Sequence, residues 1–289
     1  MPVRGGSDGQ RRGRRVPAIA AATLLAFACA LVVQAQQIWV GGGRFSRVRP
    51  SFATLADFDG SFVYCRGFFD SVRREPSGSG WSTDYPGADN NFSVRLAELT
   101  HVRIKLRPDK QPTHVVVPIA DPMLYRCPML FMEDVGTAEF RPEEVRSLRD
   151  YLLKGGFLWV DDFWGERAWG YWVQQVARIL PPAEFPIFDI PPTHAIMQTL
   201  YDVRSVPQVP NIGFWRSSGG QTSEFGRDSD EVHFRGIQDD RGRLMVVMSH
   251  NTDIADTWER EGANQDYFDL FSPRGYALGV NVVMYAMTH

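Results

Sequence analysis

The sequence predicts an α/β protein with a doubly wound, mostly parallel sheet. Short apolar runs alternate with segments of helical periodicity, which is the pattern of strands joined by crossover helices on both faces of a sheet. The run at 157–160 is apolar without interruption, as in strands that are covered on both faces. A hydrophobic content of 44% with 12% aromatic residues is sufficient for one large core.

Residues 141–180 form the clearest unit, with the sequence RPEEVRSLRDYLLKGGFLWVDDFWGERAWGYWVQQVARIL. Pro142 followed by two glutamates is typical of a helix start, and a glycine pair ends that helix. A buried strand follows at once, and Asp161 and Asp162 stand at its carboxyl end before a second helix begins after Gly165. Ligands of open parallel sheets bind outside such ends, so this acidic corner is the predicted site.

Other elements are predicted on either side of this unit. In chain order they are a strand at 62–65, a helix over 92–99 capped by Asp89 or Asn90, a half-exposed strand at 102–106, apolar strands at 114–119 and 127–132, an irregular proline-rich segment at 181–211, a hairpin over 234–248, and a last helix capped by Ser272 with Pro273 in its first turn. No internal repeat and no second core are evident, so residues 61–289 are expected to form a single α/β domain.

Residues 1–35 are predicted to be a signal peptide. Arginines concentrate in the first fifteen positions, and a run without charge follows at 16–33. Residues 33–35 fit a cleavage site, although an uncleaved membrane anchor is the alternative because the run is nearly long enough to span. Residues 36–60 are rich in Gly, Arg and Ser and predict a linker. We therefore expect an exported, periplasmic or extracytoplasmic protein that meets a membrane only through an uncleaved N-terminal segment.

The cysteines leave two alternatives open. Cys29 lies in the N-terminal apolar run, so Cys65 and Cys127 are the two in the predicted mature chain. A disulfide between them is allowed in an oxidising compartment, but two buried free thiols are the simpler interpretation and the one we favour.

Three long blocks of sequence carry a family resemblance. They are WSTDYPGADNNFSVRLAELT, LRDYLLKGGFLWVDDFWGE and GRLMVVMSHNTDIADTWERE, the last followed by YALGVNVVMYA. Over residues 61–286 the chain resembles the bacterial family called domain of unknown function 4159. The resemblance implies a fold similar to class I glutamine amidotransferases, with a flavodoxin-like sheet, in proteins that are often exported. It implies no reaction.

The amidotransferase resemblance can be tested at one turn. Those enzymes place a nucleophilic Cys between a central strand and the following helix. The corresponding turn here is residues 160–165, VDDFWG, which contains neither Cys nor Ser. Cys65 and Cys127 fall elsewhere, so the usual glutaminase mechanism is not expected.

Acidic residues after two strands are predicted to converge on one cleft. Such a number of oxygen ligands suits Ca²⁺ or Mg²⁺, or a cationic or sugar-like ligand stacked on tryptophan. The catalytic candidates are Asp161, Asp162, Glu166 and His194; the ligand-binding candidates are Asp161, Asp162, Trp164, Asn251, Asp253, Asp256, Trp258 and Glu259; and the metal candidates are Asp162, Asp253 and Asp256.

Each candidate also has a structural interpretation. Asp162 fits the N-cap of the helix that begins at Gly165. Asp253 and Asp256 fit turn and cap positions of a short helix, and His194 fits a hydrogen-bonding residue of a proline-rich loop.

Composition narrows the function further. A net charge of −3 gives no reason to expect nucleic acid as a partner, and phosphate-binding loops, dinucleotide glycine signatures and cysteine metal sets are missing from the sequence. We therefore favour a noncatalytic ligand-binding or assembly module of the cell envelope, with a carboxylate-based, divalent-metal-assisted hydrolase as the alternative. A third hypothesis is binding of envelope protein partners through an exposed loop at 67–80 and the aromatic pair Phe214-Trp215.

Overall fold

The computed structural model describes residues 1–2, 49–76 and 78–289. The strands are β1 (Tyr64–Phe68), β2 (Asp70–Ser71), β3 (His114–Pro118), β4 (Leu130–Glu133), β5 (Ala138–Glu139), β6 (Leu158–Phe163), β7 (Phe188–Asp189), β8 (His233–Gln238) and β9 (Leu244–His250). The helices are α1 (Gly87–Leu99), α2 (Pro142–Leu153), α3 (Gly165–Ile179), α4 (Ile212–Ser217), α5 (Asp256–Glu259) and α6 (Gln265–Thr288).

The central sheet has seven strands in the order β3-β1-β4-β6-β9-β8-β7. The first five of these pair in parallel, while β8 and β7 extend one edge antiparallel. Taken alone, the parallel strands lie in the spatial order second, first, third, fourth, fifth, which is the flavodoxin-like order of doubly wound sheets. The predicted fold class is therefore confirmed. The closer resemblance to amidotransferases stays a prediction.

Helices cover both faces of the sheet. Apolar side chains of α2 and α3 pack on one face, together with Val160 of β6. Side chains of α1, α5 and α6 pack on the other, together with Trp159. Because successive strand residues point to opposite faces, neighbouring positions of β6 contribute to different halves of the core.

The central unit of the sequence folds as predicted, and the hairpin is formed by β8 and β9. The last helix was placed wrongly. It begins at Gln265, where Asn264 caps it by accepting a hydrogen bond from the Tyr267 N–H, and Pro273 lies inside it. Residues 102–106 form isolated bridges rather than a strand, because β3 takes the place beside β1. The predicted loop at 67–80 also departs from expectation: β1 extends into it, β2 pairs with β5, and Glu75 is buried.

The predicted signal peptide, anchor and Cys29 lie outside the described residues, apart from residues 1–2. Within the predicted linker, ordered contacts begin before residue 61. Ser51 accepts from and Ala53 donates to the backbone of Val116, so this segment lines the outer edge of β3. None of the helices in the described part of the chain is both long enough and apolar enough to cross a membrane.

The two cysteines of the folded part are joined. Cys65 in β1 and Cys127 before β4 form a disulfide with an S–S distance of 2.10 Å and a Cα–Cα distance of 5.9 Å. The preference for free thiols was therefore wrong. Burial, which suggested inert thiols, is equally compatible with a bridge, because adjacent parallel strands bring the two side chains together.

We expect peptide mapping of the non-reduced protein to find the Cys65 and Cys127 peptides linked. The bridge closes a loop with a sequence separation of 62 residues, so the double substitution Cys65→Ala and Cys127→Ala should cost about 4 kcal/mol in free energy of unfolding on loop-entropy grounds. Reduction of the wild-type protein is the control and should lower stability by a similar amount. Free thiols at both positions in the non-reduced digest would contradict the assignment.

Candidate functional site

One face of the sheet carries a repeated pattern on three neighbouring strands. An aromatic residue in the core is followed two positions later by a buried charged residue. Alternation along a strand directs both side chains to the same face. The pairs are Tyr64 and Arg66 in β1, Phe131 and Glu133 in β4, and Trp159 and Asp161 in β6. These charged side chains lie beside the point between β1 and β4 at which the strand order reverses. Doubly wound sheets bind their ligands at this switch point.

Arg66 organises this edge. Its side chain is fully buried and binds Asp89 of α1 through Nε at 3.1 Å and Nη2 at 2.6 Å. Nη1 donates to Oε2 of Glu133 and to the Thr83 carbonyl at 2.8 Å. The guanidinium therefore ties together β1, β4 and α1. Asp89 lies inside the helix and binds Arg66, so it is not the predicted cap.

Asp161 and Asp162 point in different directions. Asp161 Oδ2 accepts from the Ala255 N–H at 3.0 Å, on the face of α1 and α5. Asp162 Oδ1 accepts from Nε1 of Trp164 at 2.8 Å. A register shift between β6 and β9 falls at this point, and such irregularities re-aim side chains at the edges of sites. The two carboxylates therefore serve different surroundings.

Asp162 does not cap α3. That helix has Trp164 as its N-cap, and its first N–H, from Gly165, is bound by Asn251 Oδ1 at 2.8 Å. The structural interpretation of Asp162 as a cap was wrong, because the cap comes from the end of β9. Asn251 also donates from Nδ2 to the Glu231 carbonyl, so its amide serves the backbone on both sides.

A second acidic segment follows β9 and reaches the same place. Asp253 Oδ1 accepts from the Asp256 N–H at 2.8 Å at the start of α5, as a turn residue would. Asp256 accepts from the Ile212 N–H, from Arg260 Nε at 3.2 Å and from the Tyr267 hydroxyl. These bonds fix both side chains.

The two segments converge on a cluster of five carboxylates, which we call the acidic cluster: Asp84, Glu133, Asp161, Asp253 and Asp256. Ligand oxygens of Glu133, Asp161 and Asp253 all lie within 4.8 Å of one another. The same holds for Asp84, Asp253 and Asp256. The predicted convergence of Asp161 with Asp253 is thus present in the structure. Asp162 belongs to neither group of three.

Burial makes the charged state of this cluster costly. It raises the pKa of Glu133 to about 7, against the effect of Arg66, and that of Asp256 to about 7, against the effect of Arg260. It raises the pKa of Asp84, Asp161 and Asp253 well above the usual range, and neighbouring carboxylates raise each further. A group of buried acids in this state needs protons or a cation for compensation.

Several polar atoms around the cluster have no hydrogen-bond partner among the described residues. They are Asp84 Oδ2, Glu133 Oε1, Asp161 Oδ1 and the hydroxyl oxygen of Tyr64. Tyr64 is only 1% exposed, and burial raises the pKa of its hydroxyl, as do the charges of Asp89 and, to a smaller extent, Glu133 and Asp161. Unpaired buried polar atoms cost about 1–3 kcal/mol each, so their concentration at one place makes the cluster the candidate functional site.

The backbone around the cluster is also unusual. Asp84, Asp134, Asp162 and Asn251 all have positive φ, between 49° and 62°. Non-glycine residues rarely adopt this left-handed conformation, and Asp and Asn do so most readily. The Asp134 N–H donates to the carbonyls of Asp161 and Asp162, so the ends of β4 and β6 are tied together by the turn. Strain of this kind tends to collect at functional sites.

The predicted tryptophans are not available for stacking. Trp164 is 3% exposed, and Trp258 is fully buried in a group of aromatic rings that includes Phe92 and Phe131. Neither indole presents a face to solvent, so the sugar-like ligand stacked on these rings has no surface here. Trp258 instead forms part of the core beneath the acidic cluster.

Three further candidates lie apart from the acidic cluster or at its rim. Glu166 is exposed at the first turn of α3. His194 caps a short 3-10 helix by accepting from the Ile196 N–H and packs near Tyr285, which agrees with its structural interpretation. Glu259 is half-buried and pairs with Arg260, beside the cluster.

Comparison with known protein families shows to which family the chain belongs. The family model described as Domain of unknown function (DUF4159) matches residues 69–287. The chain belongs to this family. A search of the curated proteins finds no match for this DUF4159 chain.

Sequence reasoning missed Asp84, Glu133, Arg66 and Tyr64. A signal for one of them was present, because Glu133 follows an apolar run just as Asp161 does. Arg66 falls in a stretch where an isolated basic residue predicts exposure, and only the fold reveals its two carboxylate partners. Asp84 comes from a loop whose position depends on Arg66.

His250 occupies an aromatic stack beside the site. Its ring centroid lies 4.9 Å from that of Phe163 and 5.2 Å from that of Trp169. Nε2 contacts the Gly165 carbonyl at 3.2 Å and therefore carries the proton. Nδ1 has no partner within residues 49–76 and 78–289. Burial lowers the pKa of His250 to about 3.

Removal of Arg66 should destabilise this DUF4159 domain strongly. We expect Arg66→Met to lower the free energy of unfolding by about 3–5 kcal/mol, because Asp89 and Glu133 would keep buried charges without a partner. Urea denaturation measures the change. The matched control is Arg95→Met, whose ion pairs lie at a half-exposed surface and should matter by less than about 1 kcal/mol. Equal effects of the two substitutions would contradict the role of Arg66.

His250 should make stability depend on pH. Its pKa is about 3 when folded and about 6.5 when unfolded, so the unfolded state binds the proton first as pH falls. Stability from this group is complete above about 6.5 and is lost progressively down to about 3. Between pH 7 and 5, wild type should therefore lose about 2 kcal/mol more than His250→Phe. Their difference should stay constant from pH 7 to 8, and parallel profiles below pH 7 would refute the assignment.

Proposed function

We propose that this DUF4159 protein is a noncatalytic ligand-binding module of the cell envelope that binds Ca²⁺ or Mg²⁺ at the acidic cluster. The observation that carries the proposal is that the two oxygens of Glu133, and the two oxygens of Asp161, have different surroundings. Glu133 has one oxygen on Arg66 and Asp161 has one on the Ala255 N–H. The second oxygen of each has no hydrogen-bond partner in the described part of the chain. In protein cation sites, one oxygen of a carboxylate is often fixed by a hydrogen bond while the other oxygen binds the cation.

The burial of the cluster supports a cation over a solvated acidic patch. Glu133, Asp161 and Asp256 have no exposed surface, and Asp253 has 3%. Surface carboxylates are compensated by water, but these are withdrawn from it. A divalent cation would supply the missing compensation for several of them at once.

Two features support the noncatalytic assignment. The turn at 160–165 has acid where amidotransferases carry their nucleophile. The inner carboxylates are also enclosed, so a substrate has no direct path to Glu133 or Asp161. Export is supported by the arginine-rich, apolar N-terminal sequence and by the Cys65–Cys127 disulfide, since such bonds persist mainly in oxidising compartments.

A divalent-metal-assisted hydrolase is the second candidate. Asp84 and Glu259 are half-buried, so one side of the cluster approaches solvent. A cation near that side could lower the pKa of a bound water and make it a nucleophile. Partner binding through Phe214 and Trp215 is less favoured, because both are half-buried and Trp215 packs against Tyr267 and Phe271.

Thermal unfolding of the full chain with and without Ca²⁺ or Mg²⁺ tests the proposal. A cation that binds the native state should raise the midpoint, with about 2.7 kcal/mol of stabilisation at a hundredfold excess over Kd. Asp161→Asn keeps an acceptor for the Ala255 N–H and should abolish the rise. The control Asp150→Asn lies in an exposed ion pair and should retain it.

An absence of any rise in wild type would contradict cation binding. Hydrolysis of a chromogenic ester or phosphoester, lost in Asp161→Asn and kept in Asp150→Asn, would replace the noncatalytic assignment with the hydrolase.

A further inference from the structure

We propose that the acidic cluster holds two divalent cations bridged by Asp253. The inner ion lies between Glu133, Asp161 and Asp253, and the outer ion between Asp84, Asp253 and Asp256. This inference rests on the proposed function and deepens it, because it specifies how many ions bind and which one meets the ligand.

The distances within each group suit one ion apiece. Three oxygens that all lie within 4.8 Å of one another can surround a cation at the bond lengths of Ca²⁺, about 2.3–2.6 Å. The two groups share Asp253 alone. Two neighbouring ions linked by a shared ligand are a recurrent arrangement, with a separation of about 3.5–4 Å.

Unpartnered atoms lie on both sides of Asp253. On the inner side, Oε1 of Glu133 and Oδ1 of Asp161 are inaccessible to solvent and have no hydrogen-bond donor among the described residues. On the outer side, Asp84 Oδ2 is inaccessible to solvent and is likewise without a partner in the described ranges.

Charge balance also favours two ions. The acidic cluster has five carboxylates. Arg66 is shared with Asp89, and Arg260 is shared with Glu259, so neither arginine is a full counter-charge for the cluster. One divalent ion would compensate two of the five carboxylates, whereas two ions would compensate four. Protons supply the compensation when no cation is bound, and five carboxylates have room for the charge of two divalent ions.

The two positions differ in depth rather than in direct exposure. Glu133 and Asp161 have no exposed surface, and in the outer group Asp253, Asp256 and the Oδ2 atom of Asp84 are also buried. Other atoms of Asp84 and the neighbouring Glu259 reach the surface, so the outer ion lies nearer to solvent and the inner ion is enclosed. Ca²⁺ and Mg²⁺ take at least six oxygen ligands, so the outer ion, with three protein carboxylates, keeps positions for water or for a ligand. The ligand class that fits is an anion with oxygen donors, such as a carboxylate or a phosphate.

The test counts ions on the full chain. After removal of metals with a chelator, equilibrium dialysis against Mn²⁺ should give two ions per chain, and electron paramagnetic resonance should show the spin-coupled signal of a close pair. Asp84→Asn should lose the outer ion and the coupled signal but keep one ion. Asp253→Asn should weaken both ions at least tenfold, and the surface control Asp150→Asn should keep two.

Each alternative result has a distinct meaning. One ion per chain in wild type, or an uncoupled signal from two, would overturn the bridged pair while leaving cation binding intact. No bound Mn²⁺, Ca²⁺ or Mg²⁺ would overturn the proposed function as well. Near-ultraviolet circular dichroism checks that Asp84→Asn and Asp253→Asn are folded. If Asp253→Asn does not fold, the single-ion result with Asp84→Asn decides alone.

The outer position can be examined separately. Inorganic phosphate and acetate serve as the two anion probes, added to the Mn²⁺-loaded protein. Either should change the resonance of the outer ion in wild type and have no effect in Asp84→Asn. A change that persists in Asp84→Asn would contradict an anion site at the outer ion.

Discussion

The buried guanidinium of Arg66 is the interaction on which the rest of this edge depends. It bridges two carboxylates, Asp89 and Glu133, and also holds the backbone at Thr83. Those contacts fix α1 against β1 and β4, and they place the loop that carries Asp84. A lysine could not replace it, because a single ammonium lacks the planar fork needed to bind several acceptors at once. Two side-chain cations of the protein itself therefore contact the acidic cluster, Arg66 at Glu133 and Arg260 at Asp256.

The sheet then determines which acids can meet. Alternation sends Tyr64, Arg66, Glu133 and Asp161 to one face. Asp162 lies at the register shift of β6 in left-handed backbone and accepts a hydrogen bond from Trp164. Burial raises the pKa of Asp253, and the charge of Asp162 still raises it further. Left-handed backbone at Asp134 and Asn251 ends β4 and β9 sharply, and at Asp162 it distorts the last part of β6. Glycine would adopt this conformation at lower cost, but Asp and Asn add side-chain bonds such as that from Asn251 to the start of α3. The same residues thus end the strands and brace the site.

Much of this architecture could be predicted from sequence because it is local. The helix start at Pro142, the buried run at 157–160 and the hairpin each follow from neighbouring residues, and Asp161 and Asp253 were predicted to converge because parallel strands end at one edge. The remainder depends on long-range partners. Asp162 has the sequence of a cap, but Asn251 supplies that cap from another strand. Trp258 has the sequence of a ligand-stacking residue, but three helices and the sheet enclose it.

Compensation of charge is the constraint that links fold to function here. A protein that needed only stability would gain by replacing a buried acidic cluster with apolar residues, since buried ionic groups rarely repay their desolvation. This chain instead holds one oxygen each of Glu133 and Asp161 on protein donors and leaves the other oxygen without a partner among the described residues. The cost of that arrangement falls on the form without a ligand, and the proposed binding of a cation would remove it. The features that weaken the empty site are therefore the ones that would make its affinity for a cation high.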